Sequence, residues 1–350
     1  MQSPSYKAIV DEAVSLKSYL NTSNLIRGVL SGIRSSLEPS ILEEQLKEIK
    51  DTSPELVRWR VMEHSLLVGR LYAIYENFCE SLLEEWVEFL VGEVNFDNLP
   101  KKILEHYPIG FSNIISMIPS PRYPNFNVKD MVSNYHSALQ GNNPYFLNAA
   151  CLTFHKNNLR WTELLELFVR CGVSDLSSWV AENNGLISHF TDNSERLVEQ
   201  VSSKLSNFIQ YRNDSSHGIV ETDEILGNDD LVDLIDFILC FATCLDELIS
   251  WKKLEVLEKK NRAIFVGEVK ERFSRANAVI VTVKNVRIEF GQNVFVKKDG
   301  GFWSTSITSI KLNNVSVSFA HENEGAEVGI QTERLPEKNS KIYILPYSNS

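Results

Sequence analysis

Arg212 and His217 stand five positions apart in NFIQYRNDSSHGIV (residues 207–220), with only Asn213, Asp214, Ser215 and Ser216 between them. A guanidinium is a permanently charged, forked donor suited to phosphoryl oxygens as charge builds on them. An imidazole can give or take a proton near neutral pH. The pair therefore suits acid–base chemistry at a phosphate. Its spacing poses a problem, because each residue of a straight α-helix advances by about 100° and positions 212 and 217 then point about 140° apart. They share a site only if the helix ends, bends or is paired with another copy. The small polar residues between them compete with helical backbone bonds, and Gly218 suits the position just past a helix end. A histidine there sits in the negative potential of the helix C-terminus, which favours its cation. The plainer alternative is local: Arg212 bonds carbonyls at its helix end and His217 caps it.

The elements that must hold this motif are helical. In NSERLVEQVSSKLSNFIQYR, Leu197, Val201, Leu205, Phe208 and Ile209 form one buried face leading into the motif. The strongest helical pattern runs over residues 54–93, where Met62, Leu66, Leu67, Leu71, Ile74, Phe78, Leu82, Trp86 and Phe89 recur three or four apart. Gly69 is its one weak point. Ser40 followed by Glu43 reads as a capping box. Residues 94–126 read as looser, with PSPRYP (119–124) forcing extended or turned backbone. Helical spacing returns in NNLRWTELLELFVRCGV. After the motif, residues 227–260 give a further long helix, capped by Asp229 or Asp230, with acids early and lysines late.

The texture changes near residues 259–262. AIFVGEVKERF, AVIVTVKNVRIEF, NVFVKKDGGFWSTSITSIKL and SVSFAHENEGAEVGI alternate apolar and polar, rich in β-branched residues and punctuated by Asp299-Gly300-Gly301 and Glu324-Gly325. Some six short strands suffice for a small closed barrel. The expectation is a multidomain α+β chain: an all-α bundle over 1–260 followed by a small antiparallel β-barrel over 261–350.

The motif and its context resemble the HEPN superfamily, whose mark is Arg, four to six residues, then His at a helix end in an all-α bundle. Asn213 directly after the arginine and the His217-Gly218 ending match its ribonuclease members. The GRLYAIYENFCESLLEEW helix, with Glu76 amid aromatics, and the NNLRW segment resemble the RiboL-PSP-HEPN branch, over residues 50–255. The resemblance implies metal-independent RNA cleavage by a homodimer, in which two motifs face one cleft. An RNA 2′-hydroxyl attacks its own phosphate while one group removes its proton and another protonates the leaving 5′-oxygen. One His217 cannot easily serve as both, so two copies solve a chemical problem as well as the angular one. Arg212 and His217 would be catalytic, Asn213 would position water or phosphate, and Asp214 and Ser216 would contact RNA. No cofactor or metal is implied. The resemblance further points to a defence or toxin–antitoxin setting, with an antitoxin or defence-complex partner. HEPN toxins paired with nucleotidyltransferase antitoxins commonly carry tyrosine two places after the histidine; Ile219 stands there instead, which argues against that mode of control. A HEPN-like fold can also be a non-catalytic RNA- or protein-binding module.

The C-terminal pattern, with VGEV (266–269), FGQNVFV (290–296), TSITSIKLNN (305–314) and GAEVGI (325–330), resembles the second domain of translational GTPases, over residues 263–346. It departs from them where Gln292, rather than aspartate, follows Gly291. The resemblance implies contact with tRNA, the ribosome or a translation factor; a dimerisation or regulatory barrel is the bland alternative. Arg272, Arg275, Lys297 and Lys298 are its candidate RNA-binding residues, and a solvated surface explains them equally.

Charge sharpens this division. The formal net charge is −11, yet residues 261–350 hold 12 Lys+Arg against 9 Asp+Glu. The acidic helical part is no generic nucleic-acid binder, and RNA there must meet a small local pocket or be helped by the slightly basic second part. Other chemistries find no support. Cys79, Cys151, Cys171, Cys240 and Cys244 are scattered in apolar surroundings and read as buried free thiols. His64, His106, His136, His155, His189 and His321 lack ligand spacing, and no phosphate-binding or dinucleotide loop occurs. Glu76 reads as a hydrogen-bonding anchor near the motif. Arg122, Tyr123 and Phe126 could stack on bases, or pack on their own domain. No apolar run approaches the roughly 20 residues that span a bilayer, and the start resembles neither a secretory nor a transit signal. The expectation is a cytoplasmic protein without membrane contact.

Overall fold

The computed structural model describes residues 2–32, 41–119, 125–190, 196–217, 225–321 and 325–345. Eleven helices among them precede nine strands: α1 (Pro4–Gly32), α2 (Ile41–Thr52), α3 (Leu56–Glu93), α4 (Lys101–Met117), α5 (Val128–Leu139), α6 (Ala150–Thr153), α7 (Trp161–Arg170), α8 (Leu176–Ala181), α9 (Asn184–Phe190), α10 (Leu197–His217) and α11 (Asn228–Lys259). Strands follow as β1 (Ile264–Phe273), β2 (Ala278–Val283), β3 (Arg287–Glu289), β4 (Asn293–Lys298), β5 (Gly301–Leu312), β6 (Val315–Val317), β7 (Phe319–His321), β8 (Ala326–Thr332) and β9 (Lys341–Ile344). The chain is thus a helical region followed by a closed antiparallel barrel. None of the described helices is long and apolar enough to cross a membrane.

The 38-residue α3 is the axis of the bundle, packed on α1, α10 and α11. Leu67, Leu71, Ile74, Phe78, Leu82 and Trp86 are buried as their spacing requires. The first two members of that stripe behave differently. Met62 and Leu66 are 55% and 63% exposed, while Glu63 and His64 are buried in their place. The reason is partnership: Arg27 of α1 donates to Glu63, and His64 Nδ1 accepts from the Leu226 amide at 3.3 Å. A buried polar group is tolerated once paired, so the buried face turns by one residue there. On α10, Leu197, Val201, Leu205, Phe208 and Ile209 are all buried, as expected.

Three local expectations need correction or fall elsewhere. Residues 101–117 are helical, with Pro108 inside α4. Gly110 lets that helix press on α6, since a Cβ there would lie 1.6 Å from the Cys151 carbonyl oxygen. At the start of α11 the capping residue is Gly227, and Asp230 reaches back from the first turn to its amide at 3.1 Å. The capping box at Ser40 and the residues Arg122 and Tyr123 lie outside the described residues, while Phe126 packs partly buried on the helical core. All five cysteines are free, four of them buried and Cys240 half-buried.

The barrel closes through the order β4–β9–β1–β2–β8–β5, with β5 pairing back to β4. β6 extends β5, and β3 and β7 form a separate ladder. Its interior is almost wholly β-branched, with Val269, Val279, Val281, Val283, Val296, Ile310 and Val328 buried. The Asp299–Gly300 pair turns β4 into β5, with Asp299 at φ 39°.

That turn is also where the barrel meets the helices. The Gly300 carbonyl accepts from Asn183 Nδ2 at 2.8 Å, and a Cβ on Gly300 would lie 2.5 Å from the Trp179 carbonyl oxygen. Trp251 of α11 packs on Phe302 and Tyr343 of the barrel. Arg262 forks onto Glu93 at 2.5 and 2.6 Å. Glu247 lies in this seam, and burial raises its carboxyl from 4.5 to about 7 against the opposing pull of Arg334 and the Asn183 amide.

Two outcomes follow from the seam. Gly300→Ala should destabilise the chain by roughly 1–3 kcal/mol, because the added methyl meets backbone; a thermal melt and protease cutting near residues 259–263 will register it. A carboxyl whose folded pKa is raised adds stability that is complete below its unfolded pKa and lost as pH rises through the folded one. Melting temperature should therefore fall between pH 4.5 and about 7 in part through Glu247. Glu247→Gln should flatten that part of the curve and stabilise by about 1–3 kcal/mol at pH 8.

Candidate functional site

The site is built where α3, α10 and the non-helical segment 154–160 meet. Segment 154–160 is buried enough that its peptide groups need partners. Tyr72 and Tyr75, neighbours on the inner face of α3, supply them. Tyr75 Oη donates to the Leu159 carbonyl at 3.1 Å, and the Leu159 amide donates to Tyr72 Oη at 3.2 Å. Tyr72 Oη in turn donates to Glu76 Oε1 at 2.8 Å. Arg160 closes the other side, with Nη1 donating to the Ser206 carbonyl and hydroxyl on α10 at 3.3 and 3.1 Å.

Against this platform lies Arg212. Its guanidinium carbon sits 4.9 Å from the centre of the Tyr72 ring, a cation–π contact on a half-buried side chain. Its Nη1 donates to Asn213 Oδ1 at 3.1 Å, and Asn158 Nδ2 donates to the same oxygen at 3.2 Å. Among the described residues this is the guanidinium's one hydrogen-bond partner. It has five N–H donors, of which this bond uses one. Asn213 is engaged twice through its oxygen, and it holds Arg212 in place.

Helix α10 is continuous from Leu197 to His217. The chain therefore does not break between Arg212 and His217, and five residues of helix set the two positions about 140° apart around the axis. The side chain of His217, like Gly218 and Ile219, lies outside the described residues. Ser216 Oγ donates to the Arg212 carbonyl at 2.8 Å, and Asp214 Oδ1 accepts from Gln210 at 2.8 Å. These local bonds let a run of helix-competing residues remain helical.

A charged cluster around the buried His155 adjoins the platform. His155 Nδ1 is 2.7 Å from the Asn157 carbonyl oxygen, and its Nε2 is 2.8 Å from Glu80 Oε1 and 4.0 Å from Glu76 Oε1. Burial opposes a charge on His155, but the Glu80 hydrogen bond, the Asn157 carbonyl and the fields of Glu80 and Glu76 outweigh it and raise its pKa. His64, beside Tyr211, is shifted down by burial. A cleft of about 410 Å³ lies along α10 beside α11, lined by Phe190, Gln200, Lys204, Tyr211 and Asp233.

Sequence spacing pointed to Arg212, Asn213 and the Glu76 anchor, which the fold brings to the two sides of Tyr72. It did not locate Tyr72, Asn158, Glu80 or His155. The visible signal was Tyr72, Glu76 and Glu80 at four-residue intervals on one helix; nothing local said that residues 155–159 would lie over them.

The barrel's candidate residues separate. Arg272 and Arg275 are exposed. Lys297 faces the helices, with Nζ 4.4 Å from the Trp179 ring and 5.7 Å from the Trp251 ring, and burial lowers its pKa. It sits against α8 and α11, where apolar faces cover its stem, and belongs to the seam instead of an open basic face. Lys298 pairs with Asp299 at 2.9 Å. Among the described residues no group of three or more His, Cys, Asp or Glu suits a metal ion.

Compared with known families, residues 38–250 match the model described as RiboL-PSP-HEPN. No curated protein and no solved structure matches the chain.

Proposed function

The chain belongs to the RiboL-PSP-HEPN family, and on that premise we propose that it is a metal-independent endoribonuclease in which two copies of α10 bring Arg212 and His217 to one phosphodiester. The observation that carries this reading is the state of Arg212: stacked on Tyr72, tied at one nitrogen to Asn213, with the rest of its fork unengaged among the described residues. That is a preorganised anion receptor, and preorganised charge needs no rearrangement as the phosphorane forms. His217 lies on the same unbroken helix, so an Arg–His pair on one phosphate is most simply assembled from two chains. One imidazole then takes the 2′-hydroxyl proton while its twin protonates the leaving 5′-oxygen. Arg212 neutralises the non-bridging oxygens, and Asn213 keeps its guanidinium flat. The products are a 2′,3′-cyclic phosphate and a free 5′-hydroxyl.

In this reading Asp214 and Ser216 border the cleft, and the barrel directs the domain to tRNA or another translation-associated RNA through Arg272 and Arg275. The role is that of an effector in defence or toxin–antitoxin biology, a reading that rests on family analogy. One observation favours a second reading, a binding module that does not cut. Arg212, as held, grips a phosphate without moving a proton.

The wild-type chain should cleave RNA in EDTA and leave 2′,3′-cyclic ends. Arg212→Ala and His217→Ala should each slow cleavage by about 10²-fold or more with the fold intact; end-mapping of cellular RNA after expression reads both. Equal RNA binding by wild type and His217→Ala, with no cutting by either, would establish the binding module instead. Cutting by a chain that sediments as a monomer would exclude the paired site.

A further inference from the structure

The His155–Glu76–Glu80 cluster has no part in the chemistry above, yet it adjoins Tyr72 and the segment that carries Asn158, both of which hold the Arg212 site. His155 is 9% exposed, and its two ring nitrogens face a carbonyl oxygen at 2.7 Å and a carboxylate oxygen at 2.8 Å. Both are acceptors. Both ring nitrogens must therefore carry hydrogen, and two carboxylates facing one ring keep the second proton on it. The ring is an imidazolium, buried and fixed between α3 and the backbone of its own segment.

Two lines run from this ion to the candidate site. One goes through Glu76 to Tyr72 Oη at 2.8 Å, and so to the ring beneath Arg212. The other goes along the segment itself, from His155 to Asn158, whose amide donates to Asn213 Oδ1 at 3.2 Å, and to Leu159, whose amide donates to Tyr72 Oη at 3.2 Å. Other charged groups around the segment do not compete for the ring. Arg170 of α7 donates to the Phe154 carbonyl, Glu84 of α3 accepts from Thr153, Glu163 of α7 takes Asn157 Nδ2, and Lys156 is exposed. Arg212 is the cation on the far side of Tyr72.

We propose that His155 is a positioning residue for the Arg212–Asn213 pair: its imidazolium, gripped by Glu76 and Glu80, clamps segment 155–159 onto α3 so that Asn158 and Tyr72 fix the guanidinium. Removing one proton leaves one ring nitrogen an acceptor facing an acceptor, either the Asn157 carbonyl or Glu80, so one of the two holds is lost and the clamp loosens. The clamp is present at low pH and lost as pH rises through the raised pKa of His155. Its catalytic consequence rests on the nuclease reading; the clamp itself does not.

The test uses the full chain labelled with ¹⁵N-histidine and ¹⁵N-arginine. At pH 7 His155 should show two ring N–H signals, and Arg212 a slowly exchanging Nη1–H, the group bonded to Asn213. In His155→Gln the Arg212 signal should broaden or vanish while circular dichroism is unchanged. Should His155→Gln not fold, Glu76→Gln, which keeps an acceptor for Tyr72 and removes one charge, should lower the pH at which the Arg212 signal is lost. Cleavage should fall about 10- to 100-fold in kcat with RNA affinity retained, as expected for misplacement of a stabilising group. His155→Lys, a cation at all relevant pH, should restore activity and abolish the alkaline limb assigned to His155. A neutral His155 ring at pH 7, an unaltered Arg212 signal in His155→Gln, or zinc displacing the Nε2 proton would each overturn the proposal. A chain that cuts no RNA leaves the Arg212 measurement to decide the clamp alone.

Discussion

A short stretch of irregular backbone buried between two helices has to have its peptide groups satisfied, and here two tyrosine hydroxyls on α3 do so. Tyr72 and Tyr75 take the amide and the carbonyl of Leu159. With that peptide fixed, Asn158 is fixed, and Asn213 and Arg212 with it. Were either hydroxyl missing, a buried polar group would be left unpaired at roughly 1–3 kcal/mol. The segment would then be free to leave, taking the support of the guanidinium with it. The candidate chemistry on α10 is thus held by a constraint that originates in α3, more than a hundred residues earlier in the chain.

The same logic explains how an acidic chain keeps a local anion-binding group. The net charge of −11 is unfavourable for RNA in general. Two acids beside Tyr72 are engaged: Glu76 by the Tyr72 hydroxyl, and Glu80 by the His155 imidazolium. The imidazolium offsets one of the two carboxylate charges and so weakens the cluster's field at the guanidinium. The barrel contributes exposed arginines at positions 272 and 275, while Lys297 is held between two indole rings. Charge in this molecule is therefore distributed by packing as much as by composition.

Much of the architecture was legible in the sequence. Periodicity of 3.6 residues gave α10 its buried face, from Leu197 to Ile209, and alternation gave the barrel. What failed did so for physical reasons. Hydrophobicity alone put Met62 and Leu66 inward, because it cannot know that Arg27 and the Leu226 amide would make Glu63 and His64 the better buried pair. Residues 94–126 read as looser, yet 101–117 form helix α4 with Pro108 inside it, held by the packing of Ile103, Tyr107, Gly110 and Ile114. Lys297 looked like a surface charge because its neighbours Trp179 and Trp251 lie on other elements. Asn158 and His155 were invisible as site residues since their partners are 55 and 75 positions away.

The hairpin tip at Asp299–Gly300 is normally the freest part of an antiparallel pair. In this chain it is docked under α8, with no room for a single carbon. Anyone grafting a reporter or affinity tag into the barrel must therefore leave it alone. The exposed Asn313–Asn314 turn, where both residues adopt positive φ, is the port that the architecture leaves open for such an insertion.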